Sequence, residues 1–479
     1  MVQLKESMAL AASWVGGRAV AGGDRFEVIN PATGEPVATL EAIAPEQVAG
    51  AISTAVDAQI EWQQRSLPGR AEILLAWADL LQQHREPLAK LITAESGKLL
   101  TQAGWEIDHC AAMLRWYSQA ALRITGTTLP MHGGQRNFTL KQPVGVVACI
   151  TPWNFPAAAI IVKAGAALAA GCSCLIKPSE LTPTIALALV QLAERAGVEV
   201  GVLNVLITNA PATVGVVLCA DPRVHMVSFT GSTKVGKQLY QQCAATVKRL
   251  ALEMGGNAPF IVFADADIER AVECAINARF YNSGQICVGA NRFYIESTIY
   301  DQFCQRLQAA VASMSVGDPL LATSDIGPQI HSSAASRLAE LVADAIDKGA
   351  RLLLGEQSTS GAFFQPTVLA DMQPTMLAFS AEIFGPVACL YRFDSEEEVI
   401  TSANSTEAGL AAYLFTENIS RLVRVSEQLQ AGAIGANSCQ LFAAEIPFGG
   451  WKQSGLGKEQ GIDCLDEFLQ VKSVCLGIE

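Results

Sequence analysis

Charge is scarce in this 479-residue chain: Asp, Glu, Lys and Arg make up 16%, against 50% hydrophobic residues. That balance argues against disorder and suits large buried sheets and subunit interfaces. The net charge is −13 and the pI about 5.0, with no block of like charge, so nucleic acid is not an expected partner. Thirteen cysteines are scattered along the chain, and it opens Met-Val-Gln-Leu-Lys-Glu, of mixed charge with only a short apolar run after it. A secretory leader and a disulfide framework are therefore not expected, and a reducing, cytoplasmic setting is. Cys172 and Cys174 fall in an apparent buried strand; no Cys/His group has metal-ligand spacing, so no metal is expected. Two charge-free stretches, 142–162 and 200–220, are too broken by Pro152, Asn154, Pro156, Asn204, Asn209 and Pro211 to read as membrane spans. Repeats and low-complexity linkers are absent, while the length asks for two or three domains.

What the chain offers instead is one cysteine in an unusual setting. In Tyr-Asn-Ser-Gly-Gln-Ile-Cys-Val-Gly, residues 281–289, Cys287 stands among small and polar neighbours, and Gly284 and Gly289 let backbone approach a ligand closely. A thiol reacts as its thiolate. With a free pKa of about 8.5 it needs a base, a helix N-terminus or a bound cation. Most cysteines are simply small buried side chains, but two further stretches bear on this one. Leu-Glu-Met-Gly-Gly-Asn-Ala-Pro, 252–259, runs an acid, Glu253, into a glycine turn. Thr-Pro-Trp-Asn-Phe-Pro, 151–156, sets Asn154 between two prolines at a strand end. Together they supply a nucleophile, a carboxylate base and an oxyanion donor.

Along the chain, 12–40 reads as short strands and turns and 45–122 as helices, with Pro45-Glu46 at a favoured helix start. Ile73, Leu74, Trp77, Leu80 and Leu81 recur at helical spacing. His84 and His109 lie on these helices without a partner pattern and read as structural. Residues 123–143 suggest a β-arm or hairpin. From 144 to 253, apolar strands at 144–150, 172–176, 202–207, 225–229 and 248–253 alternate with helices. That pattern makes a doubly wound parallel sheet, which binds dinucleotides beyond the C-terminal edges of its strands. The usual G-x-G-x-x-G after the first strand is missing. Gly231-Ser-Thr-Lys-Val-Gly236 opens a later helix, either facing a phosphate or forming a plain turn. Residues 255–446 read as a second α/β unit, with helices over 265–283, 299–313 and 332–348.

In this order these stretches resemble the aldehyde dehydrogenase superfamily, nearest in overall motifs to the NAD(P)-dependent succinate-semialdehyde dehydrogenases. The resemblance also rests on Asn30-Pro-Ala-Thr-Gly34, Phe229-Thr-Gly-Ser-Thr233, Glu382-Ile-Phe-Gly-Pro386 and Pro447-Phe-Gly-Gly-Trp-Lys-Gln-Ser-Gly455. It implies an α/β fold in which 1–122 and 143–254 bind NAD and 255–446 is catalytic. Residues 123–142 and 465–479 would form a β-arm for oligomerisation, and 447–464 would return to the cofactor domain. A homo-oligomer, dimer or tetramer, is implied with the arm.

The same resemblance implies roles. Cys287 would attack a small-molecule aldehyde, the Asn154 amide and the Cys287 backbone N–H would hold the oxyanion, and Glu253 would activate cysteine or water. Glu459 matches a glutamate proposed to relay protons, or is simply solvated. Lys177 and Glu180 match residues on the adenosine ribose, Ser232 a pyrophosphate contact, and Glu382 and Phe384 the nicotinamide ribose and ring. Thr151, Pro152, Trp153, Ser179 and Gly231 belong to the same cofactor motifs. Glu180 implies NAD rather than NADP, since a 2′-phosphate would meet a like charge. For the substrate, Leu114 and Tyr117 fall on the helix expected at the pocket entrance, and Ile286 and Val288 flank the nucleophile. Phe442 adds an aromatic wall. Val162 and Tyr281 occupy the places of two carboxylate-binding arginines of the succinate-semialdehyde group. That group's pocket serine falls near Ala443, and the second cysteine of its redox pair is Gly289. An apolar or aromatic aldehyde follows, with Arg115 beside the entrance helix as the one cation that could turn inward. The alternatives are a succinate-semialdehyde dehydrogenase despite those departures, a coenzyme A-acylating relative (disfavoured by Glu253), and an inactive binding or structural protein.

Overall fold

The computed structural model describes residues 10–356 and 359–477. The opening Met1–Glu6, read above for a leader, lies outside them, as do the extreme ends of the segments assigned to the first domain and the arm.

Two sheets carry the molecule. In the first, the strands run Arg18–Val20, Ser13–Val15, Leu203–Val205, Ser173–Lys177, Val146–Ile150, Val224–Gly231, Arg249–Met254 and Gly455–Leu456. The five in the middle of that order are parallel. Val146–Ile150 and Ser173–Lys177 are buried at every residue, as a sheet covered by helices on both faces requires. In register, Ile150 lies beside Lys177 and Phe229, and Thr230 beside Glu253. Thr151, Lys177, Gly231 and Met254 therefore end on one edge. The covering helices are tied down by polar contacts as well as packing: Trp62 is fully buried and its indole N–H donates to Leu168 O at 3.2 Å.

The second sheet is ordered Arg351–Leu354, Thr367–Ala370, Val387–Phe393, Ala290–Glu296, Ala258–Val262, Ala411–Phe415 and Ala433–Ala436, parallel except for its first strand. Only residues 255–257 link the last parallel strand of sheet one to Ala258. Cys287 precedes Ala290, and Glu382 and Phe384 precede Val387, so the strand starts of sheet two face the strand ends of sheet one. A third sheet stands apart: Leu469–Gly477 pairs antiparallel with Gln135–Pro143, which pairs with Thr128–His132. Its Met131, Leu140, Val471 and Leu476 are exposed.

Two elements differ from the sequence reading. The helix expected over 157–170 contains a π turn at Ile161–Gly165. The helix expected from Asp265 starts at Ile268, because Asp267 caps it by accepting the Arg270 N–H; Asp265 instead accepts from the Thr416 hydroxyl and Arg421.

Candidate active site

Cys287 and Val288 form the centre of a turn closed by Gly289 N–H to Ile286 O at 3.1 Å. The carbonyls around the thiol are tied from several sides. Asn154 Nδ2 donates to Gln285 O at 3.0 Å, and Tyr413 Oη donates to Val288 O at 2.9 Å. Asn282 and Ser283, just before, adopt left-handed φ of 50° and 56°. The thiol faces a cavity of about 810 Å³ between the two sheets, within the range of small-molecule sites. Burial pushes the Cys287 pKa up to about 12, with the Glu382 and Glu253 carboxylates adding to it, so the resting group is a thiol.

Glu253 ends its strand in the same cavity and is 4% exposed. Neither of its oxygens has a hydrogen-bond partner among the described residues. Burial first, and the Glu459 carboxylate second, hold it well above the usual carboxylate range, while Lys163 acts in the opposite direction. Residues 447–464 position Glu459: Gly455–Leu456 adds antiparallel to the Glu253 strand, and Phe448 bridges Glu459. Glu459 is no solvated surface residue, since it ion-pairs with Lys163, whose side chain is wholly buried in the π turn. π turns recur at functional sites. Lys163 was missed in the sequence, though a single cation inside the apolar run 157–170 was the available signal.

On the sheet-one side, Pro152, Trp153, Gly231 and Ser232 line the cavity, and Glu382 and Phe384 meet them from the segment before the sheet-two strand Val387–Phe393. Ser232 caps the helix Thr233–Cys243 by accepting the Val235 N–H, leaving the helix start open. A Cβ on Gly255 would lie 2.4 Å from Glu382 Oε2, so glycine is what lets that carboxyl in. Glu382 accepts the Gly256 N–H at 3.3 Å, and burial raises its pKa to about 7. Phe384 has φ of 52° and meets Trp153 edge-on at 5.6 Å. Thr151, Lys177, Ser179 and Glu180 do not line this cavity; they sit at the strand ends beside it. Thr151 N–H donates to Lys177 O, Thr151 Oγ1 is buried without a partner among the described residues, and Lys177 stands 3.8 Å from Glu180. Ser179 Oγ accepts the Leu181 N–H at 3.2 Å.

Of the residues expected to contact substrate, Val162, Tyr281, Ile286, Val288 and Phe442 line the cavity. Leu114 and Tyr117 do not: both are fully buried in the core, and Tyr117 Oη donates to Val162 O. The helix Leu100–Ala121 instead presents Trp105 and His109. At about 100° per residue, Leu114 lies roughly half a turn away from Trp105. His109, read as structural, stacks on Trp105 at 5.2 Å, and burial lowers its pKa, keeping it neutral. Tyr281 meets Trp105 edge-on and stacks with Phe155 at 6.4 Å; Phe442 packs on Phe448 at 5.0 Å. Arg115 points away, paired to Asp79 at 2.8 Å. The lining includes one guanidinium, Arg337, which donates to the carbonyls of Glu382 and Ile383. Among the described residues no group of His, Cys, Asp and Glu could hold a metal ion, and no helix is long and apolar enough to cross a membrane.

The profile of the aldehyde dehydrogenase family matches residues 18–474. The succinate-semialdehyde dehydrogenase [NADP(+)] of Escherichia coli K12 is 44% identical over 95% of either chain. The crystal structure of succinate-semialdehyde dehydrogenase from Burkholderia pseudomallei superposes with a TM-score of 0.96 at 43% identity, covering 99% of both chains. Betaine aldehyde dehydrogenase from Staphylococcus aureus, in complex with NAD+, gives 0.95 at 32% identity, covering 99% of this chain and 96% of that one.

Proposed function

The chain belongs to the aldehyde dehydrogenase family, an oxidoreductase fold acting on aldehydes, and on that premise we propose that it oxidises an apolar or aromatic aldehyde to the free acid with NAD+. The observation that carries the reading is the convergence of Cys287, Asn154 and Glu253 on one cavity. Cys287 loses its thiol proton to solvent, and the thiolate sulfur adds to the aldehyde carbon. One amide hydrogen of Asn154 holds the loop through Gln285 O; the second, with the Cys287 N–H, receives the oxyanion. Each such donor contributes about 3–4 kcal/mol to transition-state stabilisation. A bound oxidised nicotinamide supplies the hydride acceptor. Glu253, its oxygens unpartnered, takes a proton from the water that hydrolyses the Cys287 thioester, and the Glu459–Lys163 pair leads that proton away. This base distinguishes the reading from a coenzyme A-acylating one, in which water must not compete.

The residues present fit a nicotinamide dinucleotide. The open start of an 11-residue helix at Ser232 suits a pyrophosphate. The orphan Thr151 Oγ1 at the sheet-one strand ends and the Glu382 carboxyl facing them from sheet two supply further polar groups. Glu180, beside Lys177, favours ribose hydroxyls over a 2′-phosphate, which supports NAD+ here although the Escherichia coli relative is named for NADP(+).

Substrate class rests on the aromatic wall of Trp105, Phe155, Tyr281, Phe442 and Phe448. Arg115 faces solvent, Arg337 is committed to carbonyls, and His109 is neutral. A carboxylate-tailed aldehyde forgoes a charge-assisted pair worth ~1.5–3 kcal/mol. The second reading, succinate semialdehyde, is favoured by the names of the relatives. Measuring kcat/KM for hexanal, benzaldehyde and succinate semialdehyde decides between them: a preference of about a hundredfold for succinate semialdehyde would overturn the apolar reading. Cys287→Ala should abolish NADH formation and leave NAD+ binding intact; normal turnover would remove the mechanism.

A further inference from the structure

Arg279 is fully buried, eight residues before the nucleophile, and does not line the cavity. Its guanidinium reaches both ends of the nucleophile loop. Nη2 donates to Gly284 O at 2.6 Å, and Nη1 donates to Ala290 O at 3.1 Å and to Asn291 Oδ1 at 2.7 Å. These hydrogen-bond partners are carbonyls and an amide; Nε has no partner among the described residues, and the Cys389 thiol and the Glu382 carboxylate act on the group only electrostatically. Gly289 accommodates the group: a Cβ there would lie 2.9 Å from Nη2. A buried cation is costly to keep unless its hydrogen bonds are well made, and an uncharged core side chain would fill this volume without that cost.

We propose that Arg279 is a positioning residue, clamping the segment 284–290 at both ends so that the Cys287 thiol and the Cys287 N–H are held toward the cavity. The proposal rests on Cys287 being the nucleophile. Burial lowers the Arg279 pKa to about 10, which leaves it cationic at neutral pH. Hydrogen bonds from a charged donor are about twice as strong as neutral ones, and a fork serves three divergent acceptors where an ammonium serves one point. Tyr413 and Asn154 tie the carbonyls between. Loss of the clamp lets the loop drift, and a shift of about 1 Å in a reacting group costs on the order of a hundredfold in rate.

The test uses full-length Arg279→Met and Arg279→Lys. Four quantities are read: thermal unfolding, NAD+ affinity, kcat and KM for hexanal, and the rate of Cys287 alkylation by iodoacetamide against pH, followed on the Cys287 peptide by mass spectrometry. The expected result for Met is a fall in kcat of about a hundredfold with KM and NAD+ affinity nearly unchanged and slower alkylation of Cys287. Lys should recover about tenfold of that loss, keeping the charge but not the fork. Unchanged kcat and alkylation in folded variants, whatever their unfolding temperature, would overturn the proposal. Should Met fail to fold, Lys decides alone: lowered kcat with slower alkylation supports the clamp, and wild-type values of both refute it. Alkylation does not depend on turnover, so the clamp is tested even where hexanal is not oxidised; the nucleophile itself stands or falls with Cys287→Ala.

Discussion

Replacing Glu253 by Gln should stabilise the protein while disabling it. The side chain is 4% exposed, and both oxygens lack partners among the described residues. Its pKa is raised by burial and then by Glu459, against the pull of Lys163. The folded state therefore keeps a proton on Glu253 at pH values where the unfolded chain has released it. Stability falls as pH climbs from the ordinary value of 4.5 toward the raised folded value. Gln has the same shape and no proton to lose, so that slope disappears. An unpartnered buried polar group costs ~1–3 kcal/mol, and more when charged. Gln keeps the neutral share and sheds the ionic share, a gain on the order of 1–2 kcal/mol near neutral pH. Thermal and urea unfolding from pH 5 to pH 9 should show wild type and variant converging at the acid end and separating as pH rises. Loss of a general base lowers its step by about 10²–10⁴-fold; rapid mixing should show a burst of about one NADH per site followed by slow turnover. A stability difference that is flat or reversed with pH would refute the account of the buried acid. An unchanged steady-state rate would refute its role as base.

Lys163→Met leaves Glu459 unpaired beside Glu253, and breaking a buried pair costs about 3–5 kcal/mol. It also removes the one influence that lowers the Glu253 pKa, so the rising limb of the pH–rate profile should move to higher pH; an unmoved limb would exclude the relay. Tyr281→Arg loses the aromatic contacts to Phe155 and Trp105, ~0.5–1.5 kcal/mol each. Its hydroxyl has no partner to strand among the described residues. The variant should raise kcat/KM for succinate semialdehyde roughly tenfold to hundredfold; no gain would mean that Tyr281 does not face the substrate tail. Glu180→Ser should narrow the gap between NAD+ and NADP+ in kcat/KM, and a wild type that already uses both equally would remove Glu180 as the discriminator.

The doubly wound sheet was legible because its strands are apolar on both faces, and covered parallel strands such as Val146–Ile150 must be. The three stretches around Asn154, Glu253 and Cys287 were legible because each pairs a reactive side chain with a turn, and the structure brings them to one cavity. What could not be read was rotation and distance. Leu114 and Trp105 are both apolar residues on one helix; packing chose which entered the core and which lined the cavity, and periodicity alone left both open. His109 gave no signal because its partner, Trp105, is a ring and not a charge. Arg279 donates to backbone carbonyls, which every residue carries, so no pairing in the sequence could announce it.

Backbone strain and polar ties coincide at this site. Asn282, Ser283, Phe384 and Gln460 hold left-handed φ between 50° and 59°; Phe384 and Gln460 line the cavity, and the other two lead into the nucleophile loop. Non-glycine residues there cost on the order of 1–3 kcal/mol each. The offset is local. Asn282 Nδ2 donates to Asn154 O and Gln285 O, Ser283 Oγ donates to Gly327 O and accepts the Gly327 N–H, and Arg279 holds both ends of the loop. A typical hydrogen bond contributes a net ~0.5–1.5 kcal/mol, so strain and ties nearly balance. Removing one tie should release the loop toward ordinary backbone and move the thiol while the sheets stay folded. The residues proposed to meet the aldehyde tail stand outside this balance: the side chains of Val162 and Tyr281 line the cavity but make none of the loop's hydrogen bonds. Substrate preference can therefore change at those two positions without disturbing the nucleophile, which is how one scaffold hosts different aldehydes over the same chemistry.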